Sequence, residues 1–417
     1  MNQLQTLIEH LHAGSLEEAM KIYSDLKRTG SDDEKYEAAE ALYSLGFLEQ
    51  SIDLYEDLLE LYPEETELVM LKAEAHAELD QIEEAMLLLE QINSSNEFYS
   101  RAMLLSADLY HMQGLHEVSE QKLLQAYEHE KNEETIQFAL AEFYIQQGRF
   151  LEAIRFYKML SEEEIVGVLI SKRLGECYSA GGSFEEALPY YEDALHHERD
   201  AETLFQYGFT AYQSGHYITA AEVLEELIEL DPDYHSAYKL LAAAYEHEED
   251  LENAIEAAVK GLKSDPFNKE LFHTAGKLSL KTGDEQKAED FLRQAIAIDP
   301  DYLEAALVLN KVLLRQEKAD ECLEVIITVQ ESGEDDPQFL WDAAKAYELK
   351  EEYSKASEEY KKAYVVYNDH SDFLTDFGSF LLEEGRHREA LTIYQKLLEK
   401  DPANEEWQMN VDHLSRE

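Results

Sequence analysis

The residues of this chain that could do chemistry are 15 histidines, two cysteines and 91 carboxylates. Such side chains hold a metal when spacing brings three or four donors together, as in His-Glu-x-x-His on a helix or paired Cys-x-x-Cys. Neither motif occurs. His196-His197 and His10-x-His12 are local pairs without a cysteine or third ligand, and read as surface histidines. No Gly-rich phosphate loop, nucleophile elbow or calcium loop is present. Acid runs such as Glu162-Glu163-Glu164, Glu334-Asp335-Asp336 and Glu246 to Asp250 read as solvated loops or helix starts, where negative charge suits the helix dipole. No enzymatic activity, metal or cofactor is therefore expected.

The charge balance says more about partners. Asp plus Glu number 91 against 35 Lys plus Arg, a formal net of −56. Nucleic acids and anionic membranes reward lysine and arginine, so neither is expected to bind directly. A protein or peptide partner with a basic surface is favoured instead. The longest apolar run, Ile165 to Ile170, is far short of the ~20 residues of a membrane span. The opening Met1-Asn2-Gln3-Leu4-Gln5 lacks the basic and apolar regions of a secretory leader. Cys177 and Cys322 fall four repeats apart in the register below, too far to bridge, and unpaired thiols fit a reducing compartment. A cytoplasmic location is the expectation.

The elements that position these side chains follow from a period. Small residues recur at Ala19, Ser51, Ala85, Ser119, Ala153, Ala187, Ala220, Ala254, Ala288, Cys322, Ala356 and Ala390, in steps of 32 to 34. Stacked helical hairpins demand such a spacing, because each unit repeats the contacts of the last. With that residue as position 20, position 8 is Ala or Gly in ten of twelve units, Leu7 and Asn310 excepted. Positions 8 and 20 mark where the two helices of a hairpin cross most closely. Position 15 is often Gly, suited to the turn between helices, and position 24 is often Tyr. Six of the seven prolines fall at unit junctions, and Pro189 is the outlier. The register predicts an array over residues 1–404, with units starting near 1, 32, 66, 100, 134, 168, 201, 235, 269, 303, 337 and 371. A final helix over about 405–414 places Trp407, Val411 and Leu414 on one apolar face and is expected to cap the array.

Gly or Ala at 8, a small residue at 20, an aromatic at 24 and Pro at 32 resemble the tetratricopeptide repeat family. Phrases such as Leu230-Asp231-Pro232-Asp233 and Ile298-Asp299-Pro300-Asp301 carry the same signature. The likeness covers residues 1 to about 404, and the whole chain resembles the YpiA-type repeat proteins of bacilli. The resemblance implies an all-α fold, a right-handed α-solenoid superhelix of about twelve hairpins with a concave groove. It implies no single function.

In that family, positions 2, 5, 9 and 12 of the first helix face the groove. Position 9 here reads Glu40, Glu74, Asp108, Glu142 and Glu176, then Phe209 and Ala243, then Lys277, Lys311 and Lys345. Lys281 and Arg315 lie one turn along at position 13, Lys239 lies nearby, and Phe205 and Tyr212 flank Phe209. These charged and aromatic residues, Ala243 aside, are the candidate partner-binding set. Two readings stay open for the charges, a binding ladder or ion pairs inside the stack, with Glu304 a candidate partner for Lys277. The rings are either an exposed anchor or part of the packing. An exposed ion pair contributes ~0–1 kcal/mol, and micromolar affinity needs ~8 kcal/mol, so charge requires an apolar anchor. Chaperone-binding members of the family grip a carboxylate with Asn at position 9, which no unit has. The leading expectation is a scaffold or adaptor for a partner with a basic surface, such as the outer face of RNA polymerase. The alternative is an assembly or secretion chaperone holding unfolded segments.

Overall fold

The computed structural model describes residues 3–416. Met1 and Asn2, which open the stretch read for a leader, lie outside the described residues, as does Glu417. The described residues form 25 α-helices and one two-stranded hairpin. The chain divides into two compact units, residues 1–194 and 195–417. Within each, consecutive helices pack against one another as antiparallel hairpins, and each hairpin packs on the next. No helix is long and apolar enough to cross a membrane among the described residues.

The small residues act where the helices cross. Ala19, Ser51, Ala85, Ser119 and Ala153 are buried in the first unit, and Ala220, Ala254, Ala288, Cys322, Ala356 and Ala390 in the second. Ser51 uses its place to donate from Oγ to the carbonyl of Ala39 at 2.8 Å, joining positions 20 and 8. The glycines at position 8 have a second reason. A Cβ on Gly208 would stand 2.8 Å from Leu224 Cγ, and one on Gly276 2.8 Å from Leu292 Cγ. On Gly175 and Gly378 it would meet the rings of Tyr191 and Tyr394 at 3.0 Å. All four neighbours are position 24, so the small residue on the first helix is the socket for the large one on the second.

Each hairpin turns through one residue in the left-handed region. Eight repeats use Gly there, from Gly14 (φ 71°) to Gly385 (φ 69°). Asp80, Glu249, Glu317 and Glu351 take the same conformation at φ 57–60° in the repeats that lack it. Ordinary side chains adopt it at a cost of roughly 1–2 kcal/mol.

One segment departs from the all-helical expectation. Glu164–Ile165 pairs antiparallel with Val168–Leu169, and the next helix begins only at Ile170. Val166 (φ 52°) and Gly167 (φ 76°) form the two-residue turn. Positive φ at both centres is the geometry of a tight hairpin turn, which lets this apolar run form strands. At the other end the helix Glu405–Leu414 starts on Asn404, whose Oδ1 accepts from the Trp407 amide. Its Leu414 is buried, with Trp407 and Val411 packed beside it against the last core cluster.

Candidate functional site

Position 9 follows the crossing residue at position 8, so its side chain is turned about 100° around the helix from the crossing. In the first unit Glu40 and Asp108 are solvent-exposed and make no ion pair within 4 Å among the described residues. The other three acids are held internally. Glu74 receives Arg101 Nε and Nη2, both at 2.7 Å. Glu142 accepts from the Tyr157 hydroxyl and lies 3.0 Å from Arg173 Nε, while Arg173 Nη1 reaches Glu176 at 2.8 Å. The ring at position 24 thus passes through the hairpin and delivers its hydroxyl to position 9. The hydroxyl of Tyr394 likewise reaches Ser379, at 3.2 Å.

The field around the unpaired acids is strongly negative. The hydroxyl of Tyr36 donates to Glu67 at 3.2 Å. Burial first, and then Glu40 and Glu67, push that phenol up to about 12. Partial desolvation raises the Asp108 carboxyl, with His111 pulling the other way.

In the second unit Phe205, Phe209 and Tyr212 are each half-buried. Phe205 packs on Tyr234 with centroids 5.0 Å apart. Tyr212 contacts Tyr217 and His247 at 5.4 and 5.5 Å, and His247 Nε2 lies 3.1 Å from its hydroxyl. The rings are therefore neither free nor fully part of the core. Among the cations, Lys239 meets Glu270, Lys281 meets Glu246 at 2.6 Å, Arg315 meets Glu285 at 3.4 Å and Lys345 meets Asp376 at 2.8 Å. Lys277 and Lys311 make no ion pair within 4 Å among the described residues, so Glu304 does not close on Lys277. Lys277 and Glu304 both act on His273 instead. Burial and Lys277 push that imidazole below the ordinary histidine range, against the pull of Glu304.

Lys311, Leu314, Arg315, Gln338, Trp341, Asp342, Lys345, His370 and Asp372 line a cleft of about 650 Å³. Asp342 of that lining and Asn310, which is hydrogen-bonded to it, are two polar residues that sequence reasoning did not place in a site. Asn310 is fully buried and Asp342 nearly so. Asp342 accepts from Gln338 Nε2 at 2.9 Å and from Asn310 Nδ2 at 3.4 Å, and Asn310 Oδ1 has no partner. Both cysteine thiols are free and buried, and burial pushes each up to about 12. No group of three or more His, Cys, Asp or Glu able to hold a metal is found among the described residues.

Comparison with known proteins bears on what this face is. Family models for YpiA-like tetratricopeptide repeats match residues 111–165 and, for the C-terminal repeats, 337–404. General tetratricopeptide models match 36–97, 171–204, 210–269 and 279–346. The TPR repeat-containing protein YpiA of Bacillus subtilis strain 168 is 42% identical over 420 residues, covering 100% of this chain and 99% of that one. This chain belongs to the YpiA-like tetratricopeptide repeat family. A TPR repeat-containing protein of Dictyostelium discoideum is 28% identical over 36% of this chain and 60% of its own. Among solved structures, the C-terminal part of a TPR repeat-containing protein from Cytophaga hutchinsonii has 14% identity and a TM-score of 0.46, covering 66% of this chain and 99% of that one.

Tetratricopeptide repeat proteins, the family to which this chain belongs, are in general protein-interaction scaffolds. The cross-repeat partners have a signal in the sequence. Glu142 and Arg173, Lys345 and Asp376, and Lys239 and Glu270 are each 31 residues apart, and Glu74 and Arg101 are 27 apart. These offsets are one repeat less one or two helical turns, because neighbouring first helices run parallel and slide past each other.

Proposed function

We propose that this chain is a non-catalytic scaffold that takes a partner protein on the groove-facing side of its first helices, in the cytoplasm. Its acidic majority selects a partner with a basic surface, the outer face of a nucleic-acid machine such as RNA polymerase being one of that class. Glu40, Glu74, Asp108, Glu142 and Glu176 meet that surface. Phe205, Phe209 and Tyr212 supply apolar contact, and Lys239, Lys277, Lys281, Lys311, Arg315 and Lys345 meet whatever acids the partner carries. The observation that carries this reading is the state of Glu40 and Asp108, exposed and without a cation among the described residues. An incoming Lys or Arg gains there without breaking an existing pair, whereas at Glu74 it would have to displace Arg101.

The test is affinity capture from lysate at low and high salt with the wild-type chain and with Glu40→Lys plus Asp108→Lys, read by mass spectrometry. Basic proteins held by the wild type, released by salt and missing from the variant support the reading. An identical captured set from both chains overturns it.

A further inference from the structure

In the second unit Lys263, Lys277, Lys311, Lys361 and Lys396 make no ion pair within 4 Å among the described residues. Lys311 is the one of these that borders the cleft described above. The 31-residue offset that pairs Lys345 with Asp376 would bring Lys311 to Asp342. Asp342 is turned inward instead, buried and occupied by Gln338 and Asn310. Lys311 is left exposed at the cleft wall. Arg315 stands one turn further on, holding Glu285 only at 3.4 Å and hydrogen-bonded to the Lys311 carbonyl.

The opposite wall shows how a carboxylate is received here. Trp341 Nε1 donates to Asp376 Oδ2 at 3.0 Å, and Lys345 Nζ donates to the same oxygen at 2.8 Å. The indole is held edge-on by Phe373 and His370, at 5.4 and 5.6 Å, and presents a rigid apolar surface between the cationic walls. Lys311, Arg315 and Lys345 line the cleft against Asp342 and Asp372, and Asp342 is buried. Lys345 is held by Asp376 and Arg315 more loosely by Glu285, which leaves Lys311 as the lining cation without a carboxylate in contact.

We propose that this cleft takes a short acidic peptide segment of a partner protein, one carboxylate lodging between Lys311 and Arg315 and a neighbouring apolar side chain resting on Trp341. The proposal rests on the scaffold reading above and names the chemistry of one part of the partner. Charge complementarity selects the occupant, since a basic segment would meet Lys311 and Arg315, and a purely apolar one would leave Lys311 beneath it without water or partner.

The chain has two tryptophans, so Trp407→Phe leaves Trp341 as the sole indole reporter in the full-length protein. The probe is an acetylated, amidated hexapeptide, Glu-Leu-Glu-Glu-Leu-Glu, with Gln-for-Glu and Lys-for-Glu versions as controls. A saturable change in Trp341 emission with the Glu peptide alone is expected. It should weaken at least ~10-fold in Lys311→Gln/Arg315→Gln, whose exposed side chains leave the fold intact, and in ~0.5 M salt, where screening shortens to a few ångströms. No response to the Glu peptide, an equal or stronger response to either control, or an unchanged response in the double variant overturns the proposal. Any of these results can stand beside capture that depends on Glu40 and Asp108, in which case the scaffold reading survives and this cleft does not serve it.

Discussion

Asp342 is the most informative residue to perturb, because it is a carboxylate the fold buries without a cation in contact. It is 2% exposed, and burial pushes its acid from 3.8 to about 6 despite the hydrogen bonds from Gln338 and Asn310 and the fields of Lys311 and Lys345. The folded state therefore holds this proton more tightly than the unfolded chain does. Its contribution to stability is complete below the unfolded value near 4 and is lost as pH rises through about 6. A rise of that size makes the ionised carboxylate cost the fold roughly 3 kcal/mol at neutral pH. Asp342→Asn removes the charge and keeps an acceptor for Gln338. It also brings an amide donor towards Asn310, whose Oδ1 is now unpartnered. The variant should be more stable by up to ~3 kcal/mol at about pH 7.5 and by about half that at about pH 5, where the native carboxylate is mostly protonated when folded. Long repeat arrays do not unfold in one step, so the assay must be local. Hydrogen exchange by mass spectrometry of peptides from Leu303–Arg315 and Pro337–Leu349, corrected for intrinsic rates, should show up to ~100-fold slower opening at the higher pH. Faster exchange in the variant at the higher pH, or the same gain at both values, would refute the reasoning.

Other consequences can be checked more simply. Glu317→Gly and Glu351→Gly should each stabilise by ~0.5–1 kcal/mol, since both residues hold φ 57° in a turn that eight other repeats make with Gly; a higher thermal midpoint is the expected readout. Gly208→Ala should destabilise by ~1–3 kcal/mol, because the added Cβ falls 2.8 Å from Leu224, itself fully buried; circular dichroism melting would detect the loss. Cys177 and Cys322, buried and with thiols pushed up to about 12, should resist iodoacetamide in the native protein near neutral pH and react in denaturant; labelling of either in the native protein would mean the packing around it opens.

How far the sequence could be read depended on whether a feature is decided within one repeat or between two. The crossing at positions 8 and 20 belongs to one hairpin, and a 34-residue comparison exposes it. The socket that Gly175, Gly208, Gly276 and Gly378 make for position 24 has the same origin, although only the packing shows that a ring or Leu fills it. The turn at position 15 was legible where Gly marks it and hidden at Asp80, Glu249, Glu317 and Glu351, because the hairpin imposes a conformation those residues do not advertise. The Glu164–Leu169 hairpin was missed for the opposite reason: the apolar run carries no Asn-Gly or Asp-Gly turn, and Val166 occupies the strained position instead.

The candidate site was legible only in part, since Glu74 and Glu142 are matched by the residue 27 or 31 places later, in the next repeat, and Glu176 by Arg173 on its own helix. Glu74 meets Arg101 and Glu142 meets Arg173, and both become internal pairs. Asp108 has Thr135 and Ala139 at those offsets, which can neutralise nothing, and Glu40 has Glu67 and Leu71, which adds repulsion rather than a partner. Lys277 has Glu304 at the shorter offset and still makes no ion pair, so an opposite charge at the offset is not sufficient. Lys311 is unpaired for a visible reason: its counterpart Asp342 is buried and accepts from Gln338 and from Asn310, the one residue at position 8 that is polar. An amide at a crossing point that is small in ten of the twelve units thus helps hold inward the carboxylate that Lys311 would otherwise meet. The charges left available at position 9 are in this sense a by-product of how each pair of repeats interlocks.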